Sequence, residues 1–341
     1  MTSYAYYRLP YADSYYVVES DNEPLVLSSL ESIGTNSGFV ISPFTLSAEC
    51  PAVLIRPDHF SIVRMSAVPG VTVSNHASLA ASAPTADYVT AFTAFNDAVR
   101  DGSFNKLVLA RKLTVPYRIV DREDGQRLFE QACLLYPRLT IMLFSTPPTG
   151  TWLIASPEIL IEGEGDNYHT VALAGTMPYS EGYPSWSEKN KREQHVVEQY
   201  IADTISPLAT GIVKDGPVTM RAGNLIHLRT DFRFHLKEGT PLGSLVSRLH
   251  PTPAVCGFPK HAAQEFVLQH EGLYRRYYSG FAGPVGINGE THLYVSLRCA
   301  ELHDDTAVLY AGGGIMPDSS CQSEWHETEQ KMKTIMSALS L

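Results

Sequence analysis

From residue 105 onward, strand-like runs and helical segments follow one another without a strict βαβ rhythm, and no other feature constrains the fold as much. Successive strand runs lie close enough in the sequence for antiparallel pairing, whereas each parallel pair would need a helical crossover. The pattern therefore predicts an α+β fold and disfavours a doubly wound one. We find no internal repeat and no low-complexity tract.

Residues 1 to about 75 are predicted to form short strands, such as 15–19 and 53–56, separated by Pro, Gly, Asn and Ser clusters. The stretch 74–84 has the composition of a linker. A helix is predicted next from residues at helical spacing, namely Tyr88, Phe92, Phe95 and Val99. Asp101-Gly102 would end it.

Composition narrows the classes of partner. The net charge of −10, without a long basic run, argues against binding to nucleic acid or to an anionic membrane surface. The five cysteines are scattered and include no C-x-x-C pair, so neither a disulfide framework nor a zinc site is indicated. No signal-peptide pattern and no window of about 18 apolar residues is present. We therefore expect a cytoplasmic protein.

The C-terminal part combines glycines with charged residues. We interpret the run Ala311-Gly312-Gly313-Gly314-Ile315 as a turn that leads into a helix. On that helix Glu324, Glu327 and Lys331 are spaced i, i+3 and i+7 and project from one face. Carboxylates suit Mg²⁺, and a nearby lysine suits an anion. The pattern fits a face that binds a metal and an anion, and it also fits a solvated helix with paired charges.

Lys106 opens the strand signal Leu107-Val108-Leu109-Ala110. Alternation puts Lys106 on the same face as Val108 and Ala110, so it begins a strand that looks buried on both sides. Near apolar surface the charged form of a lysine is disfavoured, which is what a lysine general base requires. The alternative is a lysine that snorkels at a strand end.

Two more charged residues interrupt apolar runs. Glu158 lies within the run 152–161, where a carboxyl group would keep its proton near neutral pH, as a general acid must. Arg298 lies within the run 293–299, where alternation puts it on the face opposite Leu297, and arginine suits bidentate recognition of a carboxylate. Structural ion pairs or backbone contacts are the alternatives for both residues.

A further helix is predicted over residues 185–205. It begins with the capping-box pattern Ser185-x-x-Glu188 and continues with an apolar stripe that includes Val197. Glu193 lies four residues before Val197, on or beside the buried face, where an acid needs a cation. Glu193 is therefore a candidate metal ligand, and a solvated position at the edge of the helix is the alternative.

Taken together, these segments resemble the chorismate-utilising enzymes, and among them the isochorismate synthases, from about residue 86 to the C-terminus. The matching blocks are Phe104-Asn105-Lys106-Leu107-Val108-Leu109-Ala110-Arg111, Ser156-Pro157-Glu158, Leu173-Ala174-Gly175-Thr176, Ser187-Glu188-Lys189 with Glu193, Ile226-His227-Leu228, residues 249–259, Leu297-Arg298-Cys299, and the C-terminal glycine run with Glu324, Glu327 and Lys331. So many blocks in one order argue against a chance match.

The resemblance implies an isomerase that adds water at C2 of chorismate and removes the C4 hydroxyl. Lys106 would be the general base and Glu158 the general acid. Isochorismate and salicylate synthases carry a lysine at the position of Lys106, whereas ammonia-using relatives such as anthranilate synthase usually carry Gln. Ala174 stands where aminodeoxychorismate synthase has a nucleophilic lysine, which argues against that relative.

The resemblance also implies the binding residues. Mg²⁺ would be held mainly by Glu193 and Glu327, with Glu324 close by or acting through water. Gln194 departs from the family pattern, in which a His often follows the metal-binding Glu. The residues expected to bind chorismate are Gly175, Thr176, His227, Ala254, Tyr278, Arg298, Gly312 and Lys331.

The fold that the resemblance implies is a single α+β domain with large antiparallel sheets packed together and helices outside. Residues 86–341 would form the chorismate-binding catalytic domain, and residues 1–85 would add strands to the same unit, because so short a segment would be marginal alone. We expect a monomer without a glutaminase subunit, since water is the nucleophile, and a role in menaquinone biosynthesis.

Three alternatives stay open. A salicylate synthase would also eliminate pyruvate, and Tyr278 is compatible with that family. An isochorismate synthase of a siderophore pathway would use the same chemistry. A relative that binds chorismate without catalysis is the third, and the joint presence of Lys106, Glu158, Glu193 and Glu327 speaks against it.

Overall fold

A computed structural model of the chain describes residues 3–65, 82–180, 184–222 and 225–339. Within those ranges the strands are β1 (Ser3–Arg8), β2 (Ser14–Ser20), β3 (Leu25–Leu27), β4 (Gly38–Ser42), β5 (Ala52–Ile55), β6 (His59–Arg64), β7 (Lys106–Pro116), β8 (Thr140–Thr146), β9 (Gly150–Ser156), β10 (Ile159–Glu164), β11 (Asn167–Pro178), β12 (Ala209–Ala222), β13 (Leu225–Leu236), β14 (Gly257–Phe258), β15 (Phe281–Val285), β16 (Glu290–Val295), β17 (Cys299–Leu302) and β18 (Thr306–Ile315). The helices are α1 (Ala86–Arg100), α2 (Arg122–Leu135), α3 (Glu188–Ile205), α4 (Leu242–Leu249), α5 (Lys260–His270) and α6 (Cys321–Ala338). Most of the predicted linker, 74–84, lies outside the described residues.

The strands form two nine-stranded antiparallel sheets. The first has the order β14-β7-β18-β17-β9-β8-β1-β2-β6, and the second has the order β12-β13-β11-β10-β16-β15-β4-β5-β3. Strand β1 pairs with β8 and β4 pairs with β15, so strands from the first 65 residues extend both sheets. The predicted α+β fold with large antiparallel sheets is confirmed.

The two sheets pack face to face around a shared apolar core. Phe39 of β4 contacts Phe144 of β8 across the interface, with ring centroids 6.3 Å apart. Helices α3 and α4 cover the outer face of the second sheet, α2 and α6 cover that of the first, and α1 and α5 cover the β7 end. No helix in the described ranges is both long and apolar enough to cross a membrane.

Two neighbouring connections carry the chain from one sheet to the other. Strand β9 lies in the first sheet and β10 in the second, while β16 lies in the second and β17 in the first. Because β9 pairs with β17 and β10 with β16, both crossings lie at one corner. Glu158 and Arg298 occupy this corner, where the Ala155 N–H donates to the Arg298 carbonyl at 3.1 Å and the Val295 N–H donates to the Glu158 carbonyl at 3.0 Å.

Three local predictions need correction. The runs 152–161 and 293–299 are not single strands, and Arg298 has a φ of +48°, so strand alternation does not set its direction. The three glycines of the C-terminal run lie within β18, not in a turn. Helix α3 is capped by Ser187, whose Oγ accepts from the Asn190 N–H, and not by Ser185, because the chain first turns helical at Glu188.

The other local predictions hold. Strand β7 begins at Lys106, and its first five residues are buried on both faces. Helix α1 ends at Arg100, immediately before Asp101-Gly102, and Gly102 has a φ of +84°. The predicted N-terminal strands correspond to β2 and β5.

Candidate active site

A cavity of about 630 Å³, including the space at its open mouth, lies beside the corner where the chain changes sheets. The predicted site residues that line it are Glu158, Gly175, Thr176, Glu193, His227, Ala254, Tyr278, Arg298, Gly312 and Lys331. The other three lie directly behind this lining: Lys106 contacts Glu193, Glu324 approaches Gly313, and Glu327 contacts Lys331. The structure thus brings all the predicted residues into one region.

Lys106 and Glu193 form an ion pair at the cavity wall. Lys106 is fully buried, and its Nζ lies 2.9 Å from Oε1 of Glu193. The contact is close, but its angle leaves Nζ without a well-aligned hydrogen-bond acceptor in the described part of the chain. Burial by itself raises the pKa of Glu193, but the contact with Lys106 and the charges of Lys189 and Lys331 together outweigh burial and lower that pKa overall. Glu193 is therefore an ionised carboxylate on the buried face of α3.

Glycines in β18 provide the space for these side chains. A Cβ added to Gly314 would lie 2.2 Å from Oε1 of Glu193 and 2.9 Å from Cε of Lys106. A Cβ on Gly313 would lie 3.0 Å from Oε2 of Glu324. The glycine run therefore supplies a bare strand surface on which charged side chains lie.

Helix α6 presents two carboxylates and a lysine to that strand. The Lys331 ammonium donates to Oε1 of Glu327 at 2.7 Å and to the Gly312 carbonyl at 2.8 Å. Glu324 is almost completely buried and pairs with Lys189 of α3. Burial, together with the like charge of Glu327, raises the pKa of Glu324 to about 7. Three residues predicted to share a helix face do so.

The three carboxylates suit a hard divalent cation. All offer oxygen ligands, which Mg²⁺ prefers. Oε2 of Glu324 is buried without a hydrogen-bond partner among the described residues, and Gly313 leaves the adjoining space free of a side chain. Each carboxylate lies against a lysine, and the described ranges hold no three acidic, His or Cys side chains gathered closely enough to bind a metal. The donor chemistry and the unpaired oxygen of Glu324 suit Mg²⁺, whereas the three side chains as placed, each paired with a lysine, do not form a metal site.

Glu158 lies between β9 and β10 and is buried. The hydrogen bond to its carboxylate in the described residues comes from the Thr252 hydroxyl, at a long 3.4 Å. Burial raises the pKa of Glu158 to about 7, although the charge of Lys106 opposes the shift. The carboxyl group can therefore hold a proton near neutral pH, which agrees with the prediction from the sequence.

His227 and Arg298 form a hydrogen-bonded pair on the cavity wall. Arg298 donates from Nη2 to Nε2 of His227 at 2.6 Å and from Nη1 to the Ala222 carbonyl at 3.0 Å. Burial, and then the charge of Arg298, hold the pKa of His227 well below its usual range. The ring is therefore neutral, with its Nδ1–H facing the Gly175 carbonyl at 3.0 Å.

A bulge in β11 shapes the cavity wall beside His227. Gly175 has a φ of +69°, and the register of β11 with β13 shifts between Ala174 and Thr176. Gln194, the departure from the family pattern, accepts a hydrogen bond from the Ala174 N–H at 2.8 Å. The glutamine thus satisfies a donor that the bulge leaves free.

Ala254 and Tyr278 also line the cavity. The ring of Tyr278 stacks on Tyr310, with centroids 5.5 Å apart, and its hydroxyl would lie 2.9 Å from a Cβ on Gly312. Gly312 therefore makes room for the tyrosine. An aromatic wall beside an arginine suits a planar, anionic small molecule.

Three residues near the cavity were assigned no role from the sequence. Lys189 lies one helical turn before Glu193, a spacing that could have indicated a shared face. Glu271 and Arg275 form a buried ion pair behind Val108 and Val255. Their i, i+4 spacing falls where helix α5 has ended, so periodicity offers no signal for them.

Comparisons with known proteins agree with this geometry. Residues 65–340 match the family model described as chorismate binding enzyme. A Mycobacterium tuberculosis protein, provisionally named isochorismate synthase MenF, is 32% identical over 87% of this chain and 84% of its own length. Escherichia coli isochorismate synthase EntC is 31% identical over 56% of this chain and 52% of its own length.

A solved structure gives the same fold. MenF from Escherichia coli, described as the menaquinone-specific isochorismate synthase, superposes with a TM-score of 0.80 at 20% identity. The match covers 99% of this chain and 88% of the other. At this level of identity the similarity shows the architecture alone.

Proposed function

Because the chain belongs to the chorismate-binding enzyme family, we propose that it converts chorismate to isochorismate. The observation that carries the proposal is that Lys106 and Glu158, both buried, adjoin one cavity that also presents Arg298. The cavity thus combines a candidate base, a candidate acid and a carboxylate-binding group. The relatives named isochorismate synthase support the same reaction.

In this reaction Lys106 takes a proton from the water that attacks C2, and Glu158 protonates the departing C4 hydroxyl. A C2–O bond forms, the C4–O bond breaks, and the ring double bonds shift between them. Glu158 has a pKa of about 7, so it carries the required proton in much of the enzyme at neutral pH. Each group of this kind typically contributes ~10²- to 10⁴-fold in rate.

Lys106 can act as a base only when it is neutral, and its Nζ lies 2.9 Å from the carboxylate of Glu193. The proposed role therefore requires that Glu193 engage another cation during turnover. We assign Glu193, Glu324 and Glu327 to Mg²⁺, which when bound would supply positive charge for the ring carboxylate of chorismate.

Arg298 is the group that we assign to the second carboxylate of chorismate, on the enolpyruvyl side chain. Its guanidinium lines the cavity and is fixed by His227 and the Ala222 carbonyl. A guanidinium held in one orientation loses little freedom when it binds a carboxylate. His227 then orients the arginine and Lys331 adds a second positive charge at the wall.

The decisive experiment incubates the purified protein with chorismate, with and without Mg²⁺, and separates the products by chromatography. We expect isochorismate that depends on Mg²⁺, without pyruvate. Salicylate together with pyruvate would assign the protein to the salicylate synthases. If chorismate is not consumed under either condition, the proposed activity is wrong.

A matched pair of lysine variants tests the assignment of the base. Lys106 and Lys112 lie on the same strand, but Lys112 is exposed. We expect Lys106→Ala to lose at least about 10²-fold in kcat and Lys112→Ala to retain wild-type activity. Equal activity of the two variants would remove Lys106 from the mechanism.

We propose menaquinone biosynthesis as the pathway served. The Mycobacterium tuberculosis relative shares its name with the Escherichia coli enzyme described as menaquinone-specific. Deleting the gene should abolish menaquinone and leave siderophore production unchanged, and the reverse phenotype would contradict the proposal. We also propose a monomer without a glutaminase subunit, because water is the nucleophile, and sedimentation of the purified protein would test this.

A further inference from the structure

Strand β7, which carries Lys106, has an incomplete edge. On one side β18 pairs with it from Leu107 to Pro116. On the other side β14 is only two residues long and pairs with Lys106 and Leu107. The Val108 N–H still reaches the Cys256 carbonyl at 2.8 Å, but no strand in the described residues continues along this edge.

A buried ion pair takes the place of the missing strand. The carboxylate of Glu271 accepts from the Ala110 N–H at 2.7 Å, and Nη2 of Arg275 donates to the Val108 carbonyl at 2.8 Å. The two side chains also bind each other through two hydrogen bonds, at 2.5 and 2.6 Å. Both are more than nine-tenths buried, at 8% and 3% exposed.

The order of the two charges matches the polarity of the strand. A neighbouring strand would offer an acceptor to the Ala110 N–H and a donor to the Val108 carbonyl. Glu271 and Arg275 offer those groups in that order. Nη1 of Arg275 also donates to the Val255 carbonyl at 2.7 Å, which ties β7 to the segment that includes Val255. Val108 and Val255 both line the cavity.

We propose that Glu271 and Arg275 are positioning residues for the reaction, and that they act as a side-chain substitute for a strand. By completing the edge of β7 they hold Lys106 against β18 and set the cavity wall at Val255. Neither residue is among those lining the cavity, so they are not catalytic. The inference rests on the proposed function only where turnover is the readout.

Arg275→Met removes the donors, and Arg276→Met is the matched control. Arg276 is the next residue and pairs with the buried Glu301 of β17, away from β7. We expect Arg275→Met to lower kcat by about 10²-fold, because a displacement near 1 Å is enough for that loss. KM for chorismate should change much less than kcat. Arg276→Met should alter thermal stability without a matching loss of kcat.

Exchanging the two charges tests whether the order of donor and acceptor along β7 matters, or only the presence of an ion pair. Glu271→Arg with Arg275→Glu keeps both charges but would present a donor to the Ala110 N–H and an acceptor to the Val108 carbonyl. We expect the swap to fail to restore kcat, whereas Arg275→Lys, which keeps a donor, should restore part of it. Recovery of kcat in the swap would overturn the proposal, as would wild-type kcat in Arg275→Met.

Amide hydrogen exchange provides a readout that needs no substrate. In Glu271→Gln, which keeps an acceptor and is expected to fold, the Ala110 N–H should remain largely protected. In Arg275→Met its protection should fall, while Arg276→Met should leave it unchanged. Unchanged protection in Arg275→Met would overturn the proposal even if the protein proved not to act on chorismate.

Discussion

Two of the carboxylates at the cavity, Glu158 and Glu324, have raised pKa values, whereas Glu162 and Asp231 on the inner face of the second sheet have lowered ones. At these two residues burial dominates: it raises the pKa of Glu158 to about 7 and, with the charge of Glu327, that of Glu324 to the same value. In the second group, burial would also raise the pKa of Glu162, but hydrogen bonds from His169 and His292 outweigh it and lower the pKa to about 2.

The number of partners explains the difference. We use the name histidine cluster for Glu162, His169, Asp231 and His292. Both ring nitrogens of His169 face carboxylates, Nδ1 at 2.9 Å from Glu162 and Nε2 at 2.6 Å from Asp231, which requires a doubly protonated ring. Arg229 also donates twice to Asp231.

At the cavity, by contrast, Oε2 of Glu324 has no hydrogen-bond partner in the described part of the chain, and Glu158 has one long hydrogen bond. A buried carboxylate with few hydrogen-bond partners destabilises the folded protein and has a perturbed pKa. Groups with perturbed pKa values are concentrated at functional sites. Partner number, not burial alone, therefore separates Glu158 and Glu324 from the carboxylates of the histidine cluster.

The largest effect should come from exchanging a carboxylate for an amide in each group. Glu158→Gln should lower kcat by about 10³-fold and leave the free energy of unfolding nearly unchanged, because the carboxylate has few hydrogen bonds to lose. Asp231→Asn should do the reverse, keeping kcat and losing about 2–3 kcal/mol of stability. Chorismate turnover and urea unfolding of both variants measure the contrast.

The pH dependence of kcat/KM provides a control for the proposed role of Glu158 as the acid. The acid must be protonated, so kcat/KM of the wild type should fall as pH rises through about 7, the pKa of Glu158. Glu164→Gln, an exposed change on β10, should keep that limb of the profile. A Glu158→Gln variant that retained the limb would show that another group supplies the proton.

The glycines of β18 give the second prediction. Gly314→Ala would force Glu193 and Lys106 apart, because the new Cβ would lie 2.2 Å from Oε1 of Glu193. We expect kcat to fall by about 10²-fold. Gly125→Ala is the control: it lies within α2, its Cβ would meet other atoms at 3.7 Å or more, and it should stabilise the protein by about 0.5–1 kcal/mol. Equal kcat in both variants would show that Gly314 does not serve the site.

The sequence was informative where one residue could be judged against its neighbours. A lysine at the start of an apolar strand and a glutamate inside an apolar run were both recognised, because a buried charge is conspicuous in a local pattern. The direction of the Arg298 side chain was not predicted correctly. It depends on the crossing of the chain from one sheet to the other, and the alternation of residues along a strand does not predict such a crossing. The glycine run was misread because glycine serves turns and close packing alike.

Contacts between residues far apart in the chain could not be predicted from the sequence for the same reason. Glu271 and Arg275 matter through the backbone of β7, more than 160 residues earlier in the chain. Lys189 and Glu324 approach only when α3 and α6 meet at β18. Composition and spacing do not report contacts between residues that are far apart in the chain, so these residues could be assigned only from the structure.

The histidine cluster supplies the third prediction, a dependence of stability on pH. Burial lowers the pKa of His169, but Asp231 and Glu162 outweigh it and raise that pKa above its usual 6.5. A raised folded-state pKa contributes stability that is present below about pH 6.5 and is lost as pH rises through the folded-state value. His169→Gln should therefore cost about 2 kcal/mol at pH 6, and the cost should shrink as pH rises through the folded-state pKa of His169.

Urea unfolding at pH 6 and at a series of higher pH values, on wild type and variant side by side, measures this difference. His292, Glu290, Tyr294 and Arg229 face the same groups, so only the difference between the two proteins isolates His169. Catalysis should be unaffected, because the cluster does not line the cavity. A loss that stays constant at every pH above 6 would contradict a charged His169.

The smallest effect should come from replacing Lys189, whose ammonium group pairs with the buried Glu324. Lys189 is the cationic partner of a buried carboxylate, as His169 is in the histidine cluster. Lys189 makes one contact with Glu324, whereas His169 makes two contacts, one with each of two carboxylates. Lys189→Met should destabilise the metal-free protein by about 1–2 kcal/mol, because the buried Glu324 loses its cation. If Mg²⁺ uses the same carboxylate, adding it should raise the melting temperature of the variant more than that of the wild type.

Lys191→Met, which removes a lysine paired with Glu188 in solvent two residues further along α3, should change neither quantity. The pair of variants thus separates two accounts of Glu324. A larger response to Mg²⁺ in Lys189→Met means that lysine and metal compete for one carboxylate, so the site tolerates poor pairing because it binds a cation. An identical response in all three proteins would place Glu324 with the structural carboxylates, and the distinction between the two groups would then rest on Glu158 alone.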